Sequence, residues 1–419
     1  MSDKRSGKKL RMRGLYFSDR SHDPAPQPPT GVQPTRGWGE TTRKPAGRRA
    51  EEKRAGETRR RRTAHENPPI VLHCGRLMLS LPAQTARNMK IVADSAIPYL
   101  EGVLEPYAEV CRLPGSAIRQ EHVLDADALL VRTRTRCDGK LLGSSRVRFV
   151  GTATIGTDHI DLAYCRRAGI RVAAAPGCNA RGVLQYIAAA LVHLARTQGW
   201  EPAARTLGIV GVGHVGSLVR VYAEQWGFRV LCCDPPREER EHAGFLPLEE
   251  VARRADILTF HTPLDETTRH MADARLLALT RPACVIINTS RGEVIDTGAL
   301  VASGRPCIAD VWEHEPQIDG RLLERALLAT PHIAGYSAQG KANAASAVVR
   351  ALSREFGLPH AEWYPAEVAP CTPRTLSWQA LCSTIDGHFD IAALSRELKR
   401  RPGEFEAMRD QYRYREEYF

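Results

Sequence analysis

Three ionisable residues in the second half of the chain could together carry acid/base chemistry on a hydroxy acid. Arg291 stands in Asn-Thr-Ser-Arg-Gly, Glu315 in Glu-His-Glu-Pro and His332 in Pro-His-Ile-Ala-Gly. An imidazole can accept the proton of an alcohol near neutral pH, and a carboxylate on its other nitrogen fixes the ring and stabilises the imidazolium. A guanidinium binds a carboxylate through two parallel hydrogen bonds. We therefore expect His332 to act as acid/base, Glu315 to orient it and Arg291 to bind the substrate carboxylate.

Each of the three residues also has an ordinary interpretation. A single loop arginine is usually a surface residue, a glutamate before proline is often part of a turn, and the chain contains 14 histidines. The prediction depends on the whole set and on its position. Each residue follows an apolar, strand-like segment, and the carboxyl ends of parallel strands are where such sheets bind ligands.

A glycine-rich turn, Gly211-Val212-Gly213-His214-Val215-Gly216, predicts a dinucleotide site. It follows a strand-like segment and opens a helix-like one, as this fingerprint requires. Gly211 suits the tight turn, Gly213 lets the backbone approach a pyrophosphate, and Gly216 lets helix and strand pack closely. The N–H groups at the helix start can bind the phosphates, so we expect His214 and Val215 to border the cofactor as well. A tight structural turn is the alternative.

The residue that would choose between the two nicotinamide cofactors is Asp234, which ends the next strand-like segment 18 residues beyond Gly216. Its carboxylate can accept both hydroxyls of the adenine ribose, and its charge repels a 2′-phosphate. The sequence therefore predicts NAD as the cofactor. Arg237, three residues further on, could weaken that preference.

Two series of apolar segments must position these residues. The first series is 90–94, 128–132, 148–152 and 171–175, and the second is 206–211, 229–234, 257–261, 284–288 and 307–311. Near-continuous apolar strands alternating with amphipathic segments are typical of parallel sheets covered on both faces. We therefore expect two α/β domains. Apolar residues at helical spacing predict helices over 183–196, crossing between the domains, and over 341–356, returning to the first.

The composition is that of a globular protein. The 419 residues are 43% hydrophobic and 26% charged, and the length predicts two or three domains. No stretch reaches the roughly 18–20 apolar residues that a membrane span needs. The 11 cysteines include no Cys-x-x-Cys pair, so neither a zinc ribbon nor a thioredoxin-type redox site is expected. Reduced thiols indicate a cytoplasmic enzyme.

Residues 1–88 account for the formal net charge of +11, since they hold 20 of the 59 Lys and Arg but 8 of the 48 Asp and Glu. They are Pro-rich and poor in apolar residues, which is typical of a disordered tail. A nucleic-acid arm and a transit peptide are alternatives. We favour an upstream extension of a reading frame that starts at Met89, so neither a nucleic-acid nor a membrane partner is expected.

The order of the motifs strongly resembles the D-isomer-specific 2-hydroxyacid dehydrogenases. Their glycine fingerprint, Asp, Ser-Arg-Gly, Asp-Val-x-x-x-Glu-Pro and Pro-His-x-x-Gly occur here in that order. Within the family, the chain is more similar to the branch that oxidises 4-phospho-D-erythronate in pyridoxal 5′-phosphate biosynthesis. The segments that carry this closer resemblance are 93–94, 149–154, 156–161, 175–180, 331–336, 389–390 and 412–419.

The resemblance, which covers about residues 89–419, implies two Rossmann-like, doubly wound domains with the active site in the cleft between them. It implies a substrate-binding domain at 89–182 completed by 332–350, a NAD-binding domain at 183–331, and a small α+β domain at 351–419 that forms a homodimer. By position it implies substrate contacts at Thr133, Thr154 and Tyr336, and further NAD contacts at Thr262, Thr289, Ser290, Arg291, Asp310 and Gly335.

A phosphorylated substrate requires basic residues that bind its phosphate. Arg132, Arg134 and Arg136 alternate along the chain, and in an extended segment they would share one face. Arginine is well shaped for phosphate, and we expect Arg132, beside Thr133, to contact it. A solvated strand end is the alternative.

Two other functions remain open at this point. One is a different enzyme on the same scaffold, such as a phosphoglycerate, glycerate or glyoxylate/hydroxypyruvate dehydrogenase, because all of them share the acid/base pair and the carboxylate-binding arginine. The other is a nicotinamide-sensing binding protein, similar to a co-repressor, whose basic tail touches nucleic acid. The presence of all three catalytic residues argues against the second.

Overall fold

The computed structural model describes residues 89–419, so the predictions for 1–88 lie outside the described residues. The first of its two sheets contains five parallel strands in the order β2-β1-β3-β4-β5. These strands are β1 (Lys90–Asp94), β2 (Glu109–Leu113), β3 (Ala128–Val131), β4 (Phe149–Thr152) and β5 (Arg171–Ala173). Residues of β1, β3 and β4 are almost all buried, as expected for a sheet covered on both faces.

The second sheet contains six parallel strands in the order β11-β10-β9-β8-β6-β7. They are β6 (Thr206–Val210), β7 (Arg229–Cys233), β8 (Ile257–Phe260), β9 (Val285–Asn288), β10 (Cys307–Ala309) and β11 (Leu328–Ala329). The strand order reverses beside β6, and a sheet with parallel strands binds its ligand at such a point. The predicted fold class, two Rossmann-like parallel-sheet domains, is confirmed.

Helices cover the faces of both sheets. In chain order they are α1 (Gln120–Val123), α2 (Gly139–Leu142), α3 (Leu162–Arg167), α4 (Ala180–Gln198), α5 (His214–Trp226), α6 (Pro235–Glu241), α7 (Leu248–Arg254), α8 (Ala274–Leu279), α9 (Thr297–Ser303), α10 (Gly320–Arg325), α11 (Ala338–Phe356), α12 (Trp378–His388), α13 (Ile391–Arg400) and α14 (Phe405–Asp410). Most begin behind an Asp or Ser whose side chain accepts a hydrogen bond from an amide of the first turn, as Ser337 does for α11.

The two long helices belong to different cores. Leu184, Ile187 and Leu191 of α4 are fully buried and share a core with the second sheet. Val348 and Leu352 of α11 pack against the first sheet. Since α11 starts directly after the segment that carries His332, that segment lies where the chain passes from one sheet to the other.

Two edge strands escaped the sequence analysis. β2 reads Glu-Val-Cys-Arg-Leu and has no apolar run, while β11 is two residues long. β2 is a partly exposed edge strand, so its sequence does not carry the continuous apolar pattern of central strands. β11 is buried but too short to leave a pattern.

The C-terminal segment departs from the expected α+β composition. Within 351–419 the structure has the helices α12, α13 and α14, and its β feature is an isolated bridge between Arg415 and Ser337. The extended C-terminal residues pack against the start of α11 and not beside a strand. Side-chain contacts therefore take the place of backbone hydrogen bonds between strands: Glu417 accepts a hydrogen bond from Ser337 over 2.6 Å. The segment packs on its own chain, with Leu381 of α12 in the core around α4.

No helix within residues 89–419 combines the length and the apolar character needed to cross a membrane.

Candidate active site

One cavity of about 260 Å³ is lined by two of the three residues predicted to do chemistry, Arg291 and His332. Residues that follow β3 and β4 of the first sheet form part of its wall, and Arg291 and His332 of the second domain form another part. The carboxyl ends of both sets of strands therefore border the same space. The sequence put Arg291 and His332 41 residues apart, and the structure brings their side chains to one cavity.

His332 and Glu315 form a dyad. His332 Nδ1 donates to Glu315 Oε2 over 2.8 Å, and the other carboxylate oxygen accepts from the Trp312 amide over 2.9 Å. Burial alone would raise the pKa of Glu315, but the charge and hydrogen bond of His332, together with the Trp312 amide and the charge of Arg409, outweigh it and the net pKa is lowered. An ionised carboxylate only accepts hydrogen bonds. The proton of the neutral ring therefore sits on Nδ1, which leaves Nε2 free to act as a base.

A buried carboxylate holds the segment that carries His332. Asp310 Oδ1 accepts from the Ile333 amide and Oδ2 from the Ala334 amide, each over 2.8 Å. His332 has φ +57°, a conformation that residues with a Cβ rarely adopt, and such strain is characteristic of functional sites. Burial raises the pKa of Asp310. Asp310 was predicted to contact NAD; the structure places its carboxylate, 1% exposed, beneath the turn that it stabilises.

Arg291 follows β9 and is one-third exposed. Its Nη1 donates to the Ser290 carbonyl over 2.8 Å, and its Nη2 lies 3.4 Å from Asp158 Oδ2 of the first domain. Asn288 fixes the turn, accepting from both the amide and the hydroxyl of Ser290. The guanidinium thus already touches one carboxylate across the cleft, and a substrate carboxylate can take that place.

The predicted substrate contacts Arg132, Thr133, Thr154 and Tyr336 all line the cavity. Thr154 Oγ1 lies 2.6 Å from Thr152 Oγ1 and donates to the Gly156 carbonyl. Arg132 donates to the Ala96 carbonyl over 3.1 Å.

The condition under which Arg132, Arg134 and Arg136 would share one face is not met. The segment after β3 is a turn and not an extended strand, so its side chains diverge. Arg134 pairs with Glu406 and Asp410 of α14, and Arg136 with Asp138. Arg132 alone of the three lines the cavity.

The glycine turn has the shape that a pyrophosphate requires. Gly211 has φ +83°, and a Cβ there would lie 2.8 Å from the His261 carbonyl oxygen. A Cβ at Gly216 would lie 2.0 Å from the Gly211 carbonyl oxygen, so helix and strand are in direct contact. A Cβ at Gly213 would meet nothing within 4 Å. The space beside Gly213, at the start of the 13-residue α5, is open to a phosphate, and the residues present fit NAD.

Asp234 joins this turn. Its Oδ2 accepts from the Val212 amide over 2.7 Å, and its Oδ1 accepts from the Arg237 amide over 3.0 Å. Each carboxylate oxygen can accept a second hydrogen bond, so both remain usable by a ribose. Arg237 is engaged by Glu241, with Nε 2.7 Å from Oε1, and so does not offer a free guanidinium to a 2′-phosphate.

The other predicted NAD contacts lie near the glycine turn or in the wall of the cavity. Thr289 Oγ1 lies 3.3 Å from His261 Nδ1; desolvation lowers the pKa of His261 to about 3, so that ring is neutral. Thr262 donates to the Met271 sulfur over 3.9 Å. Gly335 lines the cavity, where a Cβ would lie 2.0 Å from Asn179 Nδ2. The His214 ring lies against Gly177, and Val215 packs at the edge of the second-domain core.

The cavity also contains residues that sequence reasoning did not assign. They are Asp158, His159, Asn179, Lys341 and Arg409. The first three lie in segments that carried the family resemblance, so proximity to a motif was their signal. Lys341 was part of a predicted helix, and Arg409 lies in the C-terminal segment, where its Nε donates to Tyr336 Oη over 3.1 Å. Nothing local in the sequence marks either of them as a cavity residue.

Replacing Asp234 tests the cofactor site. We expect Asp234→Ala to weaken NAD binding about 10- to 100-fold, because a charge-assisted ribose contact and the bond to the Val212 amide are lost together, and to narrow the gap between NAD and NADP. Calorimetric titration of both cofactors measures this. Glu239→Ala, at an exposed position on the same helix α6, is the matched control. An unchanged NAD/NADP ratio in Asp234→Ala would assign the preference to another residue.

Comparison with known proteins gives one consistent family. Residues 181–334 match the model for the D-isomer specific 2-hydroxyacid dehydrogenase NAD binding domain. A relative from Bacteroides fragilis named erythronate-4-phosphate dehydrogenase is 45% identical over 78% of this chain and 97% of its own length. A relative of the same name from Cronobacter sakazakii is 42% identical over 79% of this chain and 92% of its own.

Solved structures agree on the fold. The NAD+-bound 3-phosphoglycerate dehydrogenase of Entamoeba histolytica superposes with a TM-score of 0.55 at 25% identity, over 64% of this chain and 95% of that one. The matched motifs, the parallel-sheet topology and the extent of identity lead to one conclusion. The chain belongs to the erythronate-4-phosphate dehydrogenase branch of the D-isomer-specific 2-hydroxyacid dehydrogenase family.

Proposed function

We propose that the protein oxidises 4-phospho-D-erythronate at its 2-hydroxyl with NAD, giving (R)-3-hydroxy-2-oxo-4-phosphooxybutanoate for pyridoxal 5′-phosphate biosynthesis. The observation that carries the proposal is the His332–Glu315 dyad, at 2.8 Å, in the same cavity as Arg291. Oxidation of a 2-hydroxy acid needs an acid/base at the C2 hydroxyl and a cation that binds the adjacent carboxylate.

The residues of the chain divide the reaction between them. Arg291 binds the substrate carboxylate and so turns the neighbouring C2 hydroxyl toward His332. His332 Nε2 accepts the hydroxyl proton as the carbonyl forms, and Glu315, already ionised, stabilises the imidazolium. NAD, when bound at the glycine turn, supplies the hydride acceptor. Thr133, Thr154 and Tyr336 orient the remaining hydroxyl and carboxylate oxygens, and Arg132 contacts the phosphate.

The division of labour between domains follows from these roles. Residues 89–182, completed by 332–350, bind the substrate, and residues 183–331 bind NAD through Gly211–Gly216, Asp234, Thr262, Thr289 and Ser290. Gly335, from the completing segment, adds a contact to NAD, and Asp310 supports that contact by holding the turn from beneath. We further propose that the segment 351–419 forms a homodimer and that the enzyme works in the cytoplasm, where its cysteines stay reduced; all ten cysteines of the described residues are free thiols. Light scattering of the purified protein measures the oligomeric state.

The chemistry of the dyad and Arg291 alone suits other 2-hydroxy acids equally. What favours a phosphorylated substrate is the additional positive charge in the cavity, from Arg132, Lys341 and Arg409. Since 3-phosphoglycerate also carries a phosphate, it is the most demanding competitor.

A substrate panel tests the proposal. We expect purified protein to oxidise 4-phospho-D-erythronate with a kcat/KM about 100-fold above that for 3-phosphoglycerate or D-glycerate, because a site shaped for one set of polar groups discriminates strongly against another. NADH absorbance is the readout, with glyoxylate and hydroxypyruvate tested in the reverse direction. A higher kcat/KM for 3-phosphoglycerate would replace the proposed substrate, and activity on none of them would refute the enzyme class.

A further inference from the structure

Lys341 is a cation in the cavity wall that the catalytic residues do not use. It lies in the first turn of α11 and lines the same cavity as His332 and Arg291. Its Nζ lies 3.6 Å from the ring centroid of Tyr336 and 5.1 Å from that of Tyr414. Aromatic faces attract an ammonium, so the two rings fix its position without neutralising its charge.

The surroundings of Lys341 lack a counter-ion. The charged and ionisable groups that act on it are Arg132, Cys178 and Arg409, and no carboxylate of residues 89–419 forms an ion pair with it. Burial, with the two guanidiniums adding repulsion, lowers the pKa of Lys341 to about 7. A buried charge without a partner is costly, and a structural lysine is normally paired. The absence of an anion here indicates that one arrives with the ligand.

Arg132 and Arg409 differ in whether their positive charge already has a partner. Arg409 donates to Tyr336 Oη over 3.1 Å and lies 3.8 Å from Glu315 Oε2, so its charge is partly used by the catalytic carboxylate. Arg132 has the Ala96 carbonyl as its hydrogen-bond acceptor and, within the described part of the chain, no ion pair. Arg132 and Lys341 are therefore the two cations that an incoming anion would neutralise.

Arg291 belongs to a different part of the cavity. It contacts Asp158 and the Ser290 carbonyl, whereas Lys341 lies against Tyr336 and Tyr414. The cavity thus offers two separate positive centres, one at Arg291 and one at Lys341 with Arg132. A molecule with a carboxylate at one end and a doubly charged phosphate at the other matches this arrangement.

We propose that the Lys341 ammonium binds the phosphate group of the substrate, beside Arg132, and determines the preference for a phosphorylated over an unphosphorylated 2-hydroxy acid. This proposal rests on the proposed function, since it names the residue that binds the phosphate of the same substrate. Tyr336 and Tyr414 position the ammonium for this contact.

The proposal has a consequence for pH dependence. A phosphate monoester becomes a dianion above pH of about 6, and the free Lys341 ammonium loses its proton above about pH 7. Because kcat/KM reports the free enzyme, the advantage of a phosphorylated substrate should be greatest between about pH 6 and 7 and should fall as the pH rises through about 7. The ratio of kcat/KM for 4-phospho-D-erythronate to that for D-erythronate isolates this effect, because the proton transfer at C2 is common to both substrates.

The test compares Lys341→Gln with Lys140→Gln, a change at an exposed lysine of the first domain. We expect the kcat/KM ratio to fall about 10- to 100-fold in Lys341→Gln, as for loss of a hydrogen bond between two charged groups, and its decline with pH to disappear. Lys140→Gln should keep the wild-type ratio and pH profile. Lys341→Arg should recover part of the ratio. An equal loss on both substrates in Lys341→Gln would overturn the proposal, leaving Lys341 a structural residue.

A binding measurement separates this inference from the proposed function. Inorganic phosphate titrated into wild-type protein should bind measurably, and in Lys341→Gln at least about 10-fold more weakly. Equal binding to both proteins would refute the role of Lys341 even if the wild type oxidises 4-phospho-D-erythronate. If phosphate binding depends on Lys341 but the wild type does not oxidise 4-phospho-D-erythronate, the role of Lys341 in binding phosphate is supported and the proposed substrate is refuted.

Discussion

His332→Asn should lower kcat by about two to four powers of ten, the usual contribution of a positioned general base, while NAD binding stays near the wild-type value. Asparagine can still donate to Glu315 but has no basic nitrogen. It also tolerates the left-handed conformation that His332 adopts, with φ +57°. The substitution therefore removes the base without straining the turn that Asp310 holds.

The chain offers a close control for this substitution. His270 also has a positive φ, +50°, and its Nε2 lies 2.6 Å from Glu313 Oε1, yet it does not line the cavity. His270→Asn should retain kcat within a few-fold, while any loss of folding should be similar in both variants. Steady-state kinetics and calorimetric NAD titration on both proteins decide the matter. Near-normal turnover in His332→Asn would remove His332 from the acid/base role.

Arg291→Ala should lower kcat/KM about 10²- to 10³-fold, within the range observed when one partner of a close charge pair is truncated. The loss of kcat/KM should appear with every 2-hydroxy acid, since Arg291 binds the carboxylate that all of them share. Arg291→Lys should recover little of it, because an ammonium keeps the charge but cannot form two parallel hydrogen bonds. The ion pair with Asp158 is partly exposed, so the free energy of unfolding should change little.

Arg275→Ala is the matched control for Arg291→Ala. Arg275 lies in the same domain, its side chain is 93% exposed, and it pairs with Asp273. Kinetics on one phosphorylated and one unphosphorylated acid should show an equal loss for Arg291→Ala and no loss for Arg275→Ala. If only the phosphorylated acid suffers, Arg291 binds the phosphate and its predicted role is wrong.

The central strands and most residues of the candidate site could be predicted because parallel sheets leave strong local signals. Fully covered strands are continuously apolar, and the residues that follow them meet at one edge of the sheet. Arg291 and Glu315 follow such strands, β9 and β10, so their place at one edge of the sheet follows from topology. His332 follows β11, a two-residue edge strand that leaves no pattern of its own. The pairing of His332 with Glu315 rather than with Glu313 does not follow from topology, since both carboxylates occur in one short turn and only the turn geometry separates them.

The part of the cavity wall formed by Lys341 and Arg409 could not be predicted from local sequence patterns. Lys341 lies in an otherwise ordinary amphipathic helix, and Arg409 comes from a helix far along the chain. Their place in the cavity depends on how α11 and α14 pack on the two sheets, and periodicity does not encode that. The three alternating arginines misled for the same reason: alternation places side chains on one face in a strand, but the segment is a turn.

The most direct measurement follows the hydrogen at C2. When 4-phospho-D-erythronate carrying deuterium at C2 is oxidised by the purified protein, the account predicts NADH that is heavier by one deuterium, in an amount equal to the 2-oxo acid formed, as measured by mass spectrometry. Oxidation without that label, or no oxidation of this acid at all, would contradict the claim that the cavity around His332 and Arg291 removes a hydride from the carbon that bears the 2-hydroxyl.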